Sequence, residues 1–197
     1  MSKTIITTDS SCNPKSIERM IPCIIIDENN TNYYDTRKVS SDEHDIIFGK
    51  DVFNKAIKGE KLHTSSPNIS DYIKVMTSYL DNGYDIIHLS TSNGISAGSV
   101  NASNVAANIL NNKYDNKVTI IDTLTAGSGG TVLFDYANDL VRKDISTTEI
   151  IKELEIIKHN VISSYFISKV EGFVKSGRAP KETILSDKLQ LRYRIDI

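Results

Sequence analysis

The sequence predicts an α/β fold: a parallel sheet with helices on both faces, followed by a partial α+β second domain. Three observations predict it. Short β-branched or apolar runs alternate with stretches of helical spacing from residue 4 to residue 160, the pattern of strand–helix crossovers. Several of those runs end in hydroxyl- or glycine-rich turns that lead into helices. From Tyr165 the alternation stops. The stretch Lys188–Ile197 instead places Leu189, Leu191, Tyr193, Ile195 and Ile197 on one face and Lys188, Gln190, Arg192, Arg194 and Asp196 on the other, as in a sheet with one wet face. The expected division is an N-terminal α/β domain at 1–160 and the start of a C-terminal α+β domain at 161–197.

Thr4–Thr8 (TIITT) is a buried strand. It ends in Asp9-Ser10-Ser11. Asn13-Pro14 then reads as a helix cap with proline at the first helical position. Pro22–Ile26 is an apolar strand, Asn29-Asn30 a turn, and Asn32–Asp35 a short antiparallel return. Asp51–Lys58 is expected to be helical and to stop at Gly59. His63-Thr64-Ser65-Ser66-Pro67 reads as a hydroxyl-rich loop. It leads into an amphipathic helix over Ile69–Leu80, with apolar residues at 69, 72, 73, 76, 79 and 80.

The centre of the chain is Asp85–Ala102: a strand to Leu89, a polar turn over Ser90–Gly98, and a helix over Val100–Leu110. Strand, turn and helix gather backbone N–H groups and hydroxyls in one place, and the helix dipole adds positive potential, so such a turn suits an anion. Lys117–Ile121 is the next strand, ending in Asp122-Thr123. A helix beginning at the glycines 127–130 runs to Leu140, and Ser146-Thr147-Thr148-Glu149 starts another that extends to His159.

Asp9-Ser10-Ser11, Ser90–Ser96 and Asp122-Thr123 all fall where parallel strands should end, which is where open α/β sheets bind ligands. Hydroxyls dominate, without a cluster of lysine or arginine, so a carboxylate or phosphate is the expected ligand. A net charge of −2 shows no nucleic-acid footprint. No apolar run approaches the roughly eighteen residues that a membrane helix needs. Cys12 and Cys23 lack metal partners at ligand spacing. With no signal peptide at the N-terminus, they read as reduced structural thiols of a cytoplasmic protein.

These residues carry a resemblance to the DegV family, bacterial proteins that bind a long-chain fatty acid. The matching pieces are Thr8-Asp9-Ser10-Ser11, Thr64-Ser65-Ser66-Pro67, Ser92-Asn93-Gly94-Ile95-Ser96-Ala97-Gly98, Val118–Asp122 with Ser128-Gly129-Gly130, Lys175-Ser176-Gly177-Arg178 and Leu189-Gln190-Leu191-Arg192. The resemblance implies a non-enzymatic carrier that holds the acid by its carboxylate, on Thr64 and Ser92 with Asn93 and Ser96 nearby, and that could present it to a fatty acid kinase. No cofactor or metal is implied. Asn93 stands where the family often has a second serine. Family members continue well beyond residue 197, so the resemblance also implies a truncated C-terminal part. The part it lacks would hold a basic or histidine contact to the carboxylate.

Two other functions are compatible with the residues. Gly94-Ile95-Ser96-Ala97-Gly98 fits the G-x-S-x-G elbow of a serine hydrolase with Ser96 as nucleophile, and Asp122 and His159 follow in the right order. Alternatively, the chain is a truncated, non-binding paralogue with an interaction role. Gly127–Gly130 lacks the third glycine of a dinucleotide loop and any Walker lysine, and reads as close packing. Asp9 and Asp122 read as hydrogen-bonding their neighbouring loops, and His88 as a core residue. His44 and His63 show no ligand spacing, although His63 stands beside Thr64. The apolar face of the terminal strand is expected to pair with Tyr165–Val170 or, preferably, to associate with a second copy in a homodimer.

Overall fold

A computed structural model describes residues 3–12, 17–34, 52, 54–167, 171–175, 177 and 193–196. Its centre is a four-stranded sheet in the order β2-β1-β6-β7. The strands are β1 (Lys3–Asp9), β2 (Met20–Ile21), β6 (Tyr84–Ser90) and β7 (Val118–Asp122), and every pair is parallel. Ile5 lies opposite Ile86 and Ile6 opposite Ile87. Because side chains alternate across a strand, these pairs feed two separate cores.

One face is covered by α1 (Ile69–Leu80) and α2 (Ala97–Asn111). There Tyr72, Met76, Leu80, Ala106 and Leu110 pack on Ile5, Ile86 and Val118. On the other face lie α3 (Ser128–Arg142) and α4 (Thr147–Ile157), whose Leu133, Phe134, Ala137, Ile150 and Leu154 pack on Ile6, Ile87 and Ile121. Helices therefore cover both faces, as the alternation predicts. The start signal of α4 is also as expected. The Ser146 side chain accepts from the Glu149 amide, and Glu149 reaches back to the Ser146 N–H, a capping box. No helix among the described residues is long and apolar enough to cross a membrane.

Three readings of the sequence change. The Pro22–Ile26 run forms β3 only over Ile24–Ile26. It belongs to a second, antiparallel sheet of order β4-β3-β5, with β4 at Asn32–Tyr34 and β5 at His63–Ser65. The expected antiparallel return at 32 is therefore present. The hydroxyl-rich loop at 63 is in fact strand β5, with Thr64 opposite Ile25. Backbone pairing needs no apolar side chain, so a run of His, Thr and Ser hides its strand from a hydropathy pattern. Instead of a helix after β1, the described residues there form short 3-10 turns at Ser10–Cys12 and Ile17–Arg19. The proposed cap at Asn13-Pro14 lies outside the described residues, as do the motif pieces at 176, 178 and 189–192. Of the expected helix at Asp51–Lys58 only 51 and 53 lie outside them, and it is helical at 52 and 54–57 and turns at Gly59, whose φ is 84°.

Asp27 holds the β3–β4 hairpin. Its buried carboxylate accepts from the Asn29 and Thr31 amides, each at 2.9 Å, and from the Tyr33 hydroxyl at 3.0 Å, with Lys55 Nζ at 3.4 Å. The Thr31 amide above all, then Tyr33, Asn29 and Lys55, hold its pKa down at about 2, against an ordinary 3.8. A lowered folded-state pKa stabilises above the unfolded value and loses its effect as pH falls through the folded one. The urea midpoint of the protein should therefore drop between pH 3.8 and about 2. Asp27→Asn should be less stable at neutral pH and show a flatter acid limb over that window.

Towards the C-terminal end, β8 (Ser164–Ile167) pairs antiparallel with β9 (Tyr193–Asp196), and a short helix, α5, spans Glu171–Lys175. The terminal strand thus has an intrachain partner on one edge, the first of the two pairings the sequence allows.

Candidate functional site

The polar segments meet at the carboxyl ends of β1, β6 and β7. After β6, Thr91 and Ser92 are buried, and residues 93–95 form a turn before α2 begins at Ala97. The turn is closed by its own backbone: Ile95 N–H and Ser96 N–H both donate to the Ser92 carbonyl at 2.9 Å, and Ser92 N–H donates to the Thr125 carbonyl at 2.9 Å. Ser92 Oγ accepts from Gly94 N–H at 3.2 Å, which leaves its own O–H available as a donor.

Ser96 is drawn into a chain of hydroxyls. Its Oγ lies 2.9 Å from Ser99 Oγ and 3.2 Å from Ser66 Oγ. The last contact matters most, because it joins the segment after β5 to the turn after β6 across the two sheets. Gly98 permits it: a Cβ there would stand 2.5 Å from Ser66 Oγ and 3.3 Å from Ser66 Cβ. Gly98→Ala should push the Ser66 hydroxyl aside and break its contact with Ser96. Since only a rotatable side chain must move and alanine favours helix, thermal unfolding should be unchanged or slightly higher, while carboxylate binding weakens several-fold in calorimetry. A stability loss beyond about 1 kcal/mol would mean that Ser66 cannot turn away.

Of the four residues expected to bind the ligand, the structure brings Ser92, Asn93 and Ser96 into one turn. Thr64 is exposed on β5, two residues before Ser66, and no hydrogen bond joins it to Ser92 among the described residues. Asn93 is exposed, and its N–H points at both oxygens of Asp122, 3.3 Å away. Asp122 also accepts from Leu124 N–H at 3.0 Å, and Leu124 adopts a left-handed φ of 56°, uncommon for a branched residue. Asp122 therefore supports its loop, as expected, and places a negative charge beside the turn.

Beneath the turn lies a network that no local pattern reveals. Asp9, fully buried at the end of β1, accepts from Tyr72 Oη at 2.7 Å, from Thr91 N–H at 3.0 Å and from Ser90 Oγ at 3.3 Å. His88 Nε2 faces it at 3.4 Å, and His88 Nδ1 is 3.1 Å from Thr7 Oγ1. Burial pushes the Asp9 carboxyl up, but His88, the Thr91 amide and Tyr72 outweigh it, and the group sits below the ordinary carboxylate range. The partners lie some eighty residues away on β6, or on α1, which is why the sequence offers no signal beyond an aspartate at a strand end. Burial pushes the Cys12 thiol up to about 12 and raises that of Cys23 as well, so both are inert at neutral pH.

The elbow reading of Ser96 gains no base. Its hydroxyl is bonded to Ser66 and Ser99, and no histidine among the described residues is bonded to it; His159 lies exposed in a 3-10 turn after α4. Among the described residues no three His, Cys, Asp or Glu side chains are grouped to hold a metal ion. An open groove near Lys3, Tyr84 and Thr147 lies at the start of β1 and β6, away from the strand ends that carry the hydroxyls.

Comparison with known proteins agrees with this architecture. A family model described as an uncharacterised protein of the DegV family matches residues 3–192. A DegV domain-containing protein of Staphylococcus aureus (strain COL) is 27% identical over 187 residues, covering 92% of this chain and 62% of the relative. One from Streptococcus pneumoniae (strain ATCC BAA-255 / R6) is 29% identical over 123 residues, covering 62% of this chain and 42% of its own length. The chain thus spans less than two thirds of these curated relatives. Among solved structures, a fatty-acid-binding DegV family protein from Thermus thermophilus superposes with a TM-score of 0.80 at 22% identity, covering 100% of this chain and 68% of that one. The Streptococcus pneumoniae Fatty Acid Kinase B3 protein, loaded with linoleic acid, gives 0.77 at 22% identity, covering 97% and 67%.

Proposed function

Because this chain belongs to the DegV family, we propose that it is a cytoplasmic carrier that binds a long-chain fatty acid by its carboxylate and could present it to a fatty acid kinase. The observation that carries this reading is the convergence of hydroxyls at the strand ends, with the Ser92 O–H available as a donor and Ser66 linked to Ser96. The start of α2 adds the positive end of its dipole. Neutral donors and a helix end suit a single carboxylate. The fatty acids named for the Thermus and Streptococcus proteins support the same ligand class. Thr64, Ser92, Asn93 and Ser96 are the residues proposed to hold the head group. Residues 1–160 would supply that site, and 161–197 would begin the domain that shields the tail. Most of the affinity would come from that tail, at roughly 0.8 kcal/mol per buried methylene. The Ser66 and Ser99 contacts of Ser96 favour a carrier over a hydrolase. Mass spectrometry of lipid released from the purified protein tests the proposal: a bound long-chain fatty acid supports it, and protein that is empty and takes up none when incubated with one overturns it.

A further inference from the structure

We propose that Asp9 is the positioning residue of the head-group turn: from beneath, its carboxylate fixes the backbone from which Ser92 presents its hydroxyl. This rests on the carrier reading above. Asp9 touches no proposed ligand, so it would act through Ser90, Thr91 and Ser92.

Three features separate it from an ordinary loop cap. First, Asp9 is fully buried and accepts from three groups, Tyr72 Oη at 2.7 Å, Thr91 N–H at 3.0 Å and Ser90 Oγ at 3.3 Å, while His88 Nε2 stands 3.4 Å away without hydrogen-bond geometry. A carboxylate accepts at both oxygens, whereas in an asparagine one oxygen is replaced by an N–H₂ donor, so Tyr72 could no longer donate there if Thr91 N–H keeps its acceptor. Second, the bond to Thr91 N–H falls one residue before Ser92, whose own N–H is held by the Thr125 carbonyl at 2.9 Å. Successive amides at the turn are thus pinned from two sides, by the end of β1 and by the loop after β7, and the Thr91 side chain is tied to Ser11. Third, the support behind Asp9 is itself buried in the core. Tyr72 is buried in α1 and stacks edge-on to His88, with ring centroids 5.3 Å apart. The remaining ionisable neighbours, Cys12 and Cys23, are thiols whose pKa burial raises, so they stay protonated at neutral pH.

The test compares palmitic acid with hexadecanol, which share a tail and differ in the head group. Both are measured by displacement of a fluorescent lipid from the full chain and from Asp9→Asn. Wild type should prefer the acid. In Asp9→Asn that preference should fall about tenfold, the effect of misplacing one charge-assisted hydrogen bond, with hexadecanol binding little changed. A merely structural role would weaken both ligands together. If Asp9→Asn does not fold, Tyr72→Phe removes the shortest anchor of Asp9 and should lower the preference in the same direction, by less. A folded variant that keeps the wild-type preference, or loses both ligands equally, overturns the role of Asp9 alone. A wild-type protein that binds the acid no better than the alcohol overturns the head-group reading, and the role of Asp9 with it.

Discussion

Replacing Thr64 and Ser92 together with alanine is expected to weaken fatty-acid binding by about a hundredfold, or ~3 kcal/mol, while leaving the urea midpoint nearly unchanged. Each hydroxyl would donate to a charged carboxylate, a bond worth about 1.5–3 kcal/mol when the acceptor is ionised. The stability cost is small for local reasons. Thr64 is exposed on β5 and pairs through its backbone. Ser92 gives up only the acceptor for Gly94 N–H, at an open turn where water can replace it. Isothermal calorimetry on the double variant checks the affinity, and a denaturant titration checks the fold. Unchanged affinity in a folded double variant would remove both residues from the head-group site.

The largest stability effect is expected at Gly130. Added there, a Cβ would lie 2.5 Å from Cys12 Sγ, 2.7 Å from Cys12 Cβ and 3.2 Å from Cys12 Cα. Backbone as well as side chain stands in the way, and Cys12 is fully buried in the turn that follows β1. Neither partner can rotate aside, so α3 must shift off the sheet end. Gly130→Ala should cost about 2–3 kcal/mol by overpacking, although alanine is the better helix former. The contrast with Gly98→Ala is informative, since there only a serine hydroxyl has to move. A double variant Gly130→Ala, Cys12→Ala should recover part of the loss, which equilibrium unfolding would read directly.

The sequence makes the parallel sheet and its helices legible because burial leaves a pattern. The runs TIITT, DIIHL and KVTII become β1, β6 and β7, and the spacing over Ile69–Leu80 marks α1 to the residue. Close packing at the 127–130 glycines is legible too, since Gly129 and Gly130 leave no room for a Cβ. Elements held by backbone alone leave no such trace. Met20–Ile21 is too short to show a period, and His63–Ser65 carries no apolar side chain. At the site, the serine turn is visible as a local run. The Asp9 network is not, because its partners at Tyr72 and His88 lie 63 and 79 positions along the chain and only the crossover topology brings them together.

The link between Ser66 and Ser96 also sets how the protein breathes. Thr64 belongs to a sheet of three-residue strands, whereas Ser92 grows from the doubly covered central sheet. Two such units differ in the free energy needed to open them. The small sheet is therefore expected to open at lower free energy than the doubly covered core, separating the two halves of the proposed site. A carboxylate held by both halves would close that opening by mass action. Loading should therefore appear as slowed hydrogen exchange within Ile24–Ile26, at the alternate amides of β3 that face β5 rather than β4; none of these residues is part of the proposed head-group site.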